Sequence, residues 1–283
     1  MASIEVTETA LRADDLDGAN ALVAEAGWNQ NAADWRIFLE LGRAFAVKDA
    51  GGRLAATAAT LPYPSGFGWI SMVLVSGPFR RQGIATRLLQ RCIGALHEAG
   101  MVPVLDATPA GRDVYRPLGF RDGWAITRWR RSAASQVKET KGARLLGAGD
   151  WPAVLALDAQ AFGCDRAPLL ERLRSRSSGF GCVIEGNGGL RGFLLGREGR
   201  VAMQLGPIVA DDEAAAAELA AFACARIDGP MLVDALDRHG GLARWLEAHG
   251  FAKERPYTRM ALGREELFGD PRRLAAIAGP ELG

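Results

Sequence analysis

The sequence predicts an α/β fold, of the α+β mixed-sheet kind, written twice along the chain. Three observations predict it. Residues 69–92 (WISMVLVSGPFRRQGIATRLLQRC) pass from an apolar, β-branched run through a basic turn with a glycine into a segment carrying Ile84, Leu88, Cys92 and Leu96 at four-residue spacing. That pattern is strand, turn and helix. Residues 101–105 follow as another strand, so 69–106 form a β-α-β unit whose strands run parallel. The same order of elements then recurs after Ala143, which is the mark of a long internal repeat.

Taken in order, residues 3–8 alternate apolar and polar and form an edge strand. Asp14 or Asp15 caps a helix with Leu16, Ala19, Leu22 and Val23 on one face, ending at Gly27. Residues 31–40 make a second helix, and the loop between the two holds Trp28, Asn29 and Gln30. Residues 45–48 and 54–61 form a hairpin around Asp49-Ala50-Gly51-Gly52. A loop over 62–68 leads to the strand at Trp69. After the motif helix Gly100 is a plausible stop, then come the strand 101–105, a short helix bearing Tyr115 and broken at Pro117, and a closing strand 121–129. Residues 130–142 hold few large apolar side chains and make a linker. The domains are therefore expected at 1–131 and 143–283, with 132–142 between them.

The second copy runs through a strand at 143–146, a helix opened by Asp150-Trp151-Pro152, and a hairpin at 182–185 and 192–195 around Gly186-Asn187-Gly188-Gly189. A strand at 201–209, an alanine-rich helix at 213–227, a strand at 231–235 and a helix at 242–249 complete it. Gly250-Phe251 repeats Gly119-Phe120, and the tail 264–283 is expected to fold back over one of the domains.

Composition excludes several classes of function. At 283 residues, 48% apolar and 24% charged, the chain is an ordinary globular mixture, and its net charge of +1 gives no field for nucleic acid or anionic lipid. The four cysteines (92, 164, 182, 224) are scattered without a C-x-x-C, and His97, His239 and His249 lie far apart, so neither a disulfide frame nor a metal site is expected. No leader and no apolar run of about eighteen residues is seen, so the chain is expected to be cytoplasmic, with no membrane partner.

The turn carries the chemistry. A helix start offers free N–H groups and the positive end of the helix dipole, a natural seat for phosphate. Gly83 opens that helix, and Arg80 and Arg81 stand beside it, either to pair with an anion or as solvated cations. The stretch Val75, Arg80-Arg81-Gln82-Gly83-Ile84-Ala85 resembles motif A of the GNAT N-acetyltransferase superfamily, Arg-x-x-Gly-x-Gly/Ala between a strand and a helix. Tyr115, with Gly119-Phe120 behind it, resembles the second landmark of that family. Thr108 stands where many members have Asn, and Gly111 where they often have Ala.

The resemblance implies two tandem GNAT-like acyl-CoA N-acyltransferase domains with acetyl-CoA as co-substrate. It implies that residues 80–86 (Arg80, Arg81, Gln82, Gly83, Ile84, Ala85, Thr86) hold the pyrophosphate. Met72, Val73, Leu74 and Val75 would pair with the pantetheine arm and polarise the thioester, with Thr108 and Gly111 nearby. Tyr115 would protonate the leaving thiolate; the other reading is a tyrosine of the core. Asp106, at the end of the next strand, is the leading general base, or else a turn and cap residue, with Glu40 a weaker base and water a possible relay. Trp28, Asn29, Trp35 and Trp69 line the acceptor pocket or belong to the core. The acceptor is an amine of a small molecule or peptide, and the chain is a monomer (an intramolecular pseudo-dimer) or a homodimer.

The second copy lacks these residues. Its turn is Val209-Ala210-Asp211-Asp212-Glu213, with no glycine and no arginine, and Leu246 stands where the first copy has Tyr115. Three carboxylates at a helix start would repel a pyrophosphate. The C-terminal domain is thus expected to be degenerate. The rival reading from another class is a non-catalytic CoA-binding sensor or interaction module.

Overall fold

The computed structural model describes residues 6–132, 137–138, 140–186 and 188–283. The chain divides into two compact units, Met1–Val104 with Gly199–Val201, and Leu105–Glu198 with Ala202–Gly283.

The first unit opens with β1 (Val6–Ala10), α1 (Leu16–Glu25) and α2 (Ala32–Leu41). Residues 3–5 of the expected first strand lie outside the described residues. Asn31 starts α2 with a reciprocal cap: its side chain accepts from the N–H groups of Ala33 and Asp34, and the Asp34 carboxylate accepts from the Asn31 N–H. β2 (Arg43–Asp49), β3 (Leu54–Tyr63) and β4 (Phe67–Val75) follow as an antiparallel meander, then α3 (Ile84–Glu98) and β5 (Val102–Ala107). The loop expected over 62–68 is shorter than the sequence suggests, because both strands extend into it and leave a turn at 64–66. The order is β1-β2-β3-β4-β5, and β4 runs parallel to β5. α3 lies on the sheet through Ile84, Leu88, Leu89, Cys92 and Leu96, all buried, the stripe that the four-residue spacing predicts.

The second unit takes up the chain inside β5. It holds α4 (Pro109–Tyr115), β6 (Phe120–Arg131), β7 (Ala143–Leu145), α5 (Trp151–Phe162), α6 (Ala167–Arg176), β8 (Cys182–Gly186), β9 (Gly189–Glu198) and β10 (Met203–Ala210). α7 (Glu213–Cys224), β11 (Met231–Leu236), α8 (Gly240–Ala248), β12 (Ala252–Leu262) and β13 (Leu274–Ala276) complete it. Of the expected linker, residues 133–136 and 139 lie outside the described residues, as does Asn187 in the second hairpin turn. The strand order from the end of β5 is β5-β12-β6-β11-β13-β10-β9-β8-β7. The apolar core of the unit gathers α7, α8 and the inner faces of β8 to β11, with Phe222, Leu219, Leu242 and Leu246 at most 2% exposed.

That order exchanges the closing strands of the two repeats. β6, the last strand of the first repeat, pairs antiparallel with β11 of the second, Met231↔Arg131 through Leu236↔Ile126. β12, the last strand of the second, lies between β6 and β5. Long antiparallel pairing of β6 with β12 holds the exchange together. β12, β13 and α6 are additions to what the sequence pattern gives.

Candidate active site

In the first unit β4 leads into the motif turn. β4 and β5 pair over Phe67↔Val102, Gly68↔Pro103 and Trp69↔Val104 only. Beyond Trp69, β4 continues to Val75 beside β3, and a register shift opposite Ala58 bulges it at Met72, whose φ is 54°. Thr57 Oγ1 donates to the Met72 carbonyl at 2.9 Å and fixes the bulge. Val73 and Val75 are half-buried and Leu74 is buried.

Past Val75 the chain turns over Gly77–Phe79 and reaches Gly83, the N-cap of α3, at φ +74° with no side chain capping the helix. Only a residue tolerant of the left-handed region serves there, and the first-turn N–H groups of Ile84, Ala85 and Thr86 are left without a capping side chain. Ile84 anchors the turn in the core, Ala85 is exposed and Thr86 half-buried. Gln82 is tied back through Nε2 to the Pro78 carbonyl at 3.1 Å.

The two arginines differ. Arg80 Nε donates to the Val75 carbonyl at 2.9 Å and its Nη2 lies 3.0 Å from Glu25 Oε1. Arg80 therefore braces the turn, while its side chain stays 55% exposed beside the helix start. Glu25 is the residue the sequence does not reveal. It also accepts from Ser76 Oγ at 2.9 Å and from the Gly77 N–H at 2.7 Å. The Ser76 bond first, then Gly77 and Arg80, hold its carboxyl below the usual range. Arg81 is exposed, at φ 61°, and among the described residues makes no hydrogen bond or ion pair. It is a cation free to meet an anion at this helix start.

Three of the expected acceptor-pocket residues are corrected. Trp35 and Trp69 are 0% and 1% exposed and belong to the core. Asn29 Oδ1 accepts from the Val201 N–H at 3.0 Å and its carbonyl from the Arg200 N–H at 2.6 Å, so it clips the 199–201 turn to the α1–α2 loop. Trp28, half-buried, gives its carbonyl to Arg200 Nε at 2.9 Å. Glu40 is exposed on α2.

In the second unit α4 carries Tyr115. Thr108 is its N-cap, Oγ1 accepting from the Gly111 N–H at 3.2 Å. Gly111 clears the ring: a Cβ there would lie 3.0 Å from Tyr115 Cε2. Tyr115 is half-buried and tilts against Phe120, the centroids 6.0 Å apart. Arg112 forks onto Asp122 of β6 at 2.8 and 2.6 Å, and Arg116 joins the same carboxylate. The Arg112 bond first, then Arg116, hold the Asp122 carboxyl down at about 2. A carboxyl depressed from an ordinary value near about 4 adds stability that is complete above that range and is lost as pH falls through the folded value. Between pH 4 and 2, α4 is expected to loosen from β6, read as faster amide exchange in residues 110–116 ahead of global unfolding. Asp122→Asn is expected to show that fast exchange already at pH 7.

Asp106 is corrected from general base to structural ion pair. Its side chain is fully buried, and Arg259 of β12 grips both its oxygens at 2.9 Å. Burial pushes its pKa up and the guanidinium opposes this. With its side chain 0% exposed and both oxygens held by the guanidinium, the carboxylate is shut off from an incoming amine. Removing one partner of such a pair leaves an uncompensated buried charge and costs about 3–5 kcal/mol. Asp106→Asn is expected to lose that much in urea unfolding, and the double replacement Asp106→Leu with Arg259→Met to recover most of it. An Asp106→Asn enzyme of unchanged stability but lost turnover would restore the base role.

The second repeat's turn is closed by its own side chains. Asp212 caps α7 at the Ala215 N–H, 2.8 Å, and pairs with Arg191; Asp211 lies 3.2 Å from Arg273; Glu213 accepts from the Gly241 N–H at 2.6 Å. Leu246 is 0% exposed. Among the described residues no group of three or more acidic, histidine or cysteine side chains could hold a metal, and no helix is long and apolar enough to cross a membrane.

Comparison with known proteins matches both repeats. A model described as the acetyltransferase (GNAT) family covers residues 16–120, and one described as an acetyltransferase (GNAT) domain covers 154–274. An uncharacterized N-acetyltransferase, YitH, of Bacillus subtilis is 26% identical over 86% of this chain and 87% of its own. Holothin acyltransferase of a Pseudoalteromonas species is 25% identical over 81% of this chain and 77% of its own. The crystal structure of a putative acetyltransferase from Pyrococcus horikoshii superposes at a TM-score of 0.82 with 18% identity, over 98% of this chain and 96% of that one.

Proposed function

The chain belongs to the GNAT acetyltransferase family, two of whose domains it carries in tandem, and on that premise we propose that its first repeat (1–131) transfers an acetyl group from acetyl-CoA to an amine of a small molecule or peptide. The second repeat (143–283) serves this activity without a cofactor of its own. The observation that carries the reading is the start of α3: N–H groups that no side chain caps, behind a left-handed Gly83, with Arg81 alongside. Those groups fit a pyrophosphate, and the corresponding turn of the second repeat, filled by Asp211, Asp212 and Glu213, does not.

Bound acetyl-CoA supplies an activated thioester carbonyl. The chain's residues do the rest by holding and by moving one proton. The Ile84, Ala85 and Thr86 N–H groups and Arg81 hold the phosphates. The β4 edge beyond Trp69 is assigned to the arm, held as an added strand, and N–H groups near the Met72 bulge are assigned to polarise the carbonyl. Tyr115 gives its proton to the departing thiolate. With Asp106 committed to Arg259, the amine's proton is assigned to solvent water.

The test is the release of free thiol from acetyl-CoA across a panel of small amines and peptides. Acceptor-dependent release supports transfer. Tight coenzyme binding with no release for any acceptor would favour the sensor, and no binding at all would end both readings.

A further inference from the structure

The two copies of the fold separate their central strands at the same place. In the first, pairing of β4 with β5 ends at Trp69↔Val104 after three pairs. In the second, pairing of β10 with β11 ends at Leu205↔Val233, also after three. The second gap is filled by the chain itself. β13 runs in it antiparallel to both walls, Ala276 standing opposite Ile208 on one side and Ala235 on the other. The Ala210 N–H donates to the Arg273 carbonyl at 2.9 Å, and the Ile277 N–H to the Asp234 carbonyl at 3.0 Å. The groove is shaped for this segment. A Cβ on Gly206 would lie 2.0 Å from the Ile277 carbonyl oxygen, so only glycine admits the tail there.

Side chains then fasten what the backbone pairs. Arg197 donates to the Ala278 carbonyl and pairs with Glu281, all three residues being buried. Arg166, itself gripped by Asp158, donates to the Gly283 carbonyl at 2.8 Å. Leu274, Ala276, Ile277, Ala278 and Leu282 are 0% exposed. The charge at the mouth is the reverse of the first copy. There an arginine waits at the strand-to-helix turn; here the turn presents Asp211, and the arginine that meets it, Arg273, belongs to the tail.

We propose that residues 272–283 are a built-in peptide ligand of the second repeat's splayed-strand groove, held by strand pairing and reversed charge. The segment takes the position that an acyl-CoA arm takes in the first repeat, a correspondence that rests on the function proposed above. It shuts the groove to a thioester, and the fold of the second unit depends on it as a protein depends on a bound ligand.

The experiment places a specific protease sequence after the exposed Glu266 in the full chain and reads stability without any coenzyme, so its result is independent of catalysis in the first repeat. After cleavage the tail is expected to co-elute with the body. The Ala276 and Ile277 amides should exchange as slowly as those of β10. Stripping the tail in mild denaturant should lower the melting transition by roughly 10 °C, and a synthetic peptide of residues 267–283, the whole of the piece released, should restore it. A tail that elutes apart with the transition unmoved, or a peptide without effect on a stripped body that still melts cooperatively, would overturn the proposal. If the stripped body fails to refold, exchange in the uncut chain decides: fast exchange at Ala276 and Ile277 overturns the proposal, slow exchange supports it.

Discussion

Gly83→Val is expected to weaken acetyl-CoA binding by about tenfold to a hundredfold in titration calorimetry, while the protein stays folded. The backbone at Gly83 has φ +74°, and a Cβ there meets nothing within 4 Å. No clash therefore contributes, and the change acts through conformation and through the space in front of the helix. A β-branched residue in the left-handed region costs about 1–2 kcal/mol, which the chain relieves by moving the turn and turning the α3 N–H groups off the phosphate. Two companions separate the causes. Gly83→Asn tolerates the left-handed region and should recover most of the affinity if backbone direction matters. Gly100→Val, just beyond the other end of α3, imposes the same strain at φ +69°, again with open space. It should cost stability and leave binding unchanged. Equal affinity in the Gly83→Val variant and the parent would remove the anion seat from the account.

The turn was legible because its determinants are local. Strand propensity, Gly83 and the apolar spacing of α3 lie within about two dozen consecutive residues and agree with one another. The parts that stayed hidden depend on partners far away in sequence. Glu25 braces a turn 51 to 55 residues downstream, and nothing in its own helix marks it. Asp106 sits where a base is expected, but its arginine is 153 residues away on a strand that the pattern did not reveal. Trp35 and Trp69 look alike in sequence whether they face a pocket or a core, and burial decided it. α6 does carry a local start signal, Asp165 accepting from the Ala167 N–H at 2.8 Å and Pro168 in its first turn, ahead of Leu169, Leu170 and Leu173, and the expected order of elements omits it. β13 is the clearest case. Leu274-Ala275-Ala276-Ile277-Ala278 has little strand propensity of its own, and its extended form is imposed by the two strands it joins.

Tyr115→Phe is expected to lower kcat by about a hundredfold or more while the coenzyme Kd stays within about twofold, because general-acid catalysis contributes roughly 10²–10⁴ in rate and little to ground-state binding. The ring survives the replacement and keeps its tilt against Phe120 at 6.0 Å, so lost packing does not explain a lost rate. The position of the hydroxyl depends on the shortness of Gly111, whose added methyl would come within 3.0 Å of the ring. Gly111→Ala should therefore move the same hydroxyl without removing it and lower kcat by a smaller factor, again with little change in Kd. The pH profile distinguishes the donor from a packing residue. A proton given in the rate-limiting step makes the parent's kcat fall on the alkaline side, and that limb should vanish in the Phe variant because the ionising group is gone. A Phe variant with the parent's kcat would leave the thiolate to be protonated by water and return Tyr115 to the packing of α4 on β6. A Phe variant that loses affinity in step with rate would make the hydroxyl a binding group instead.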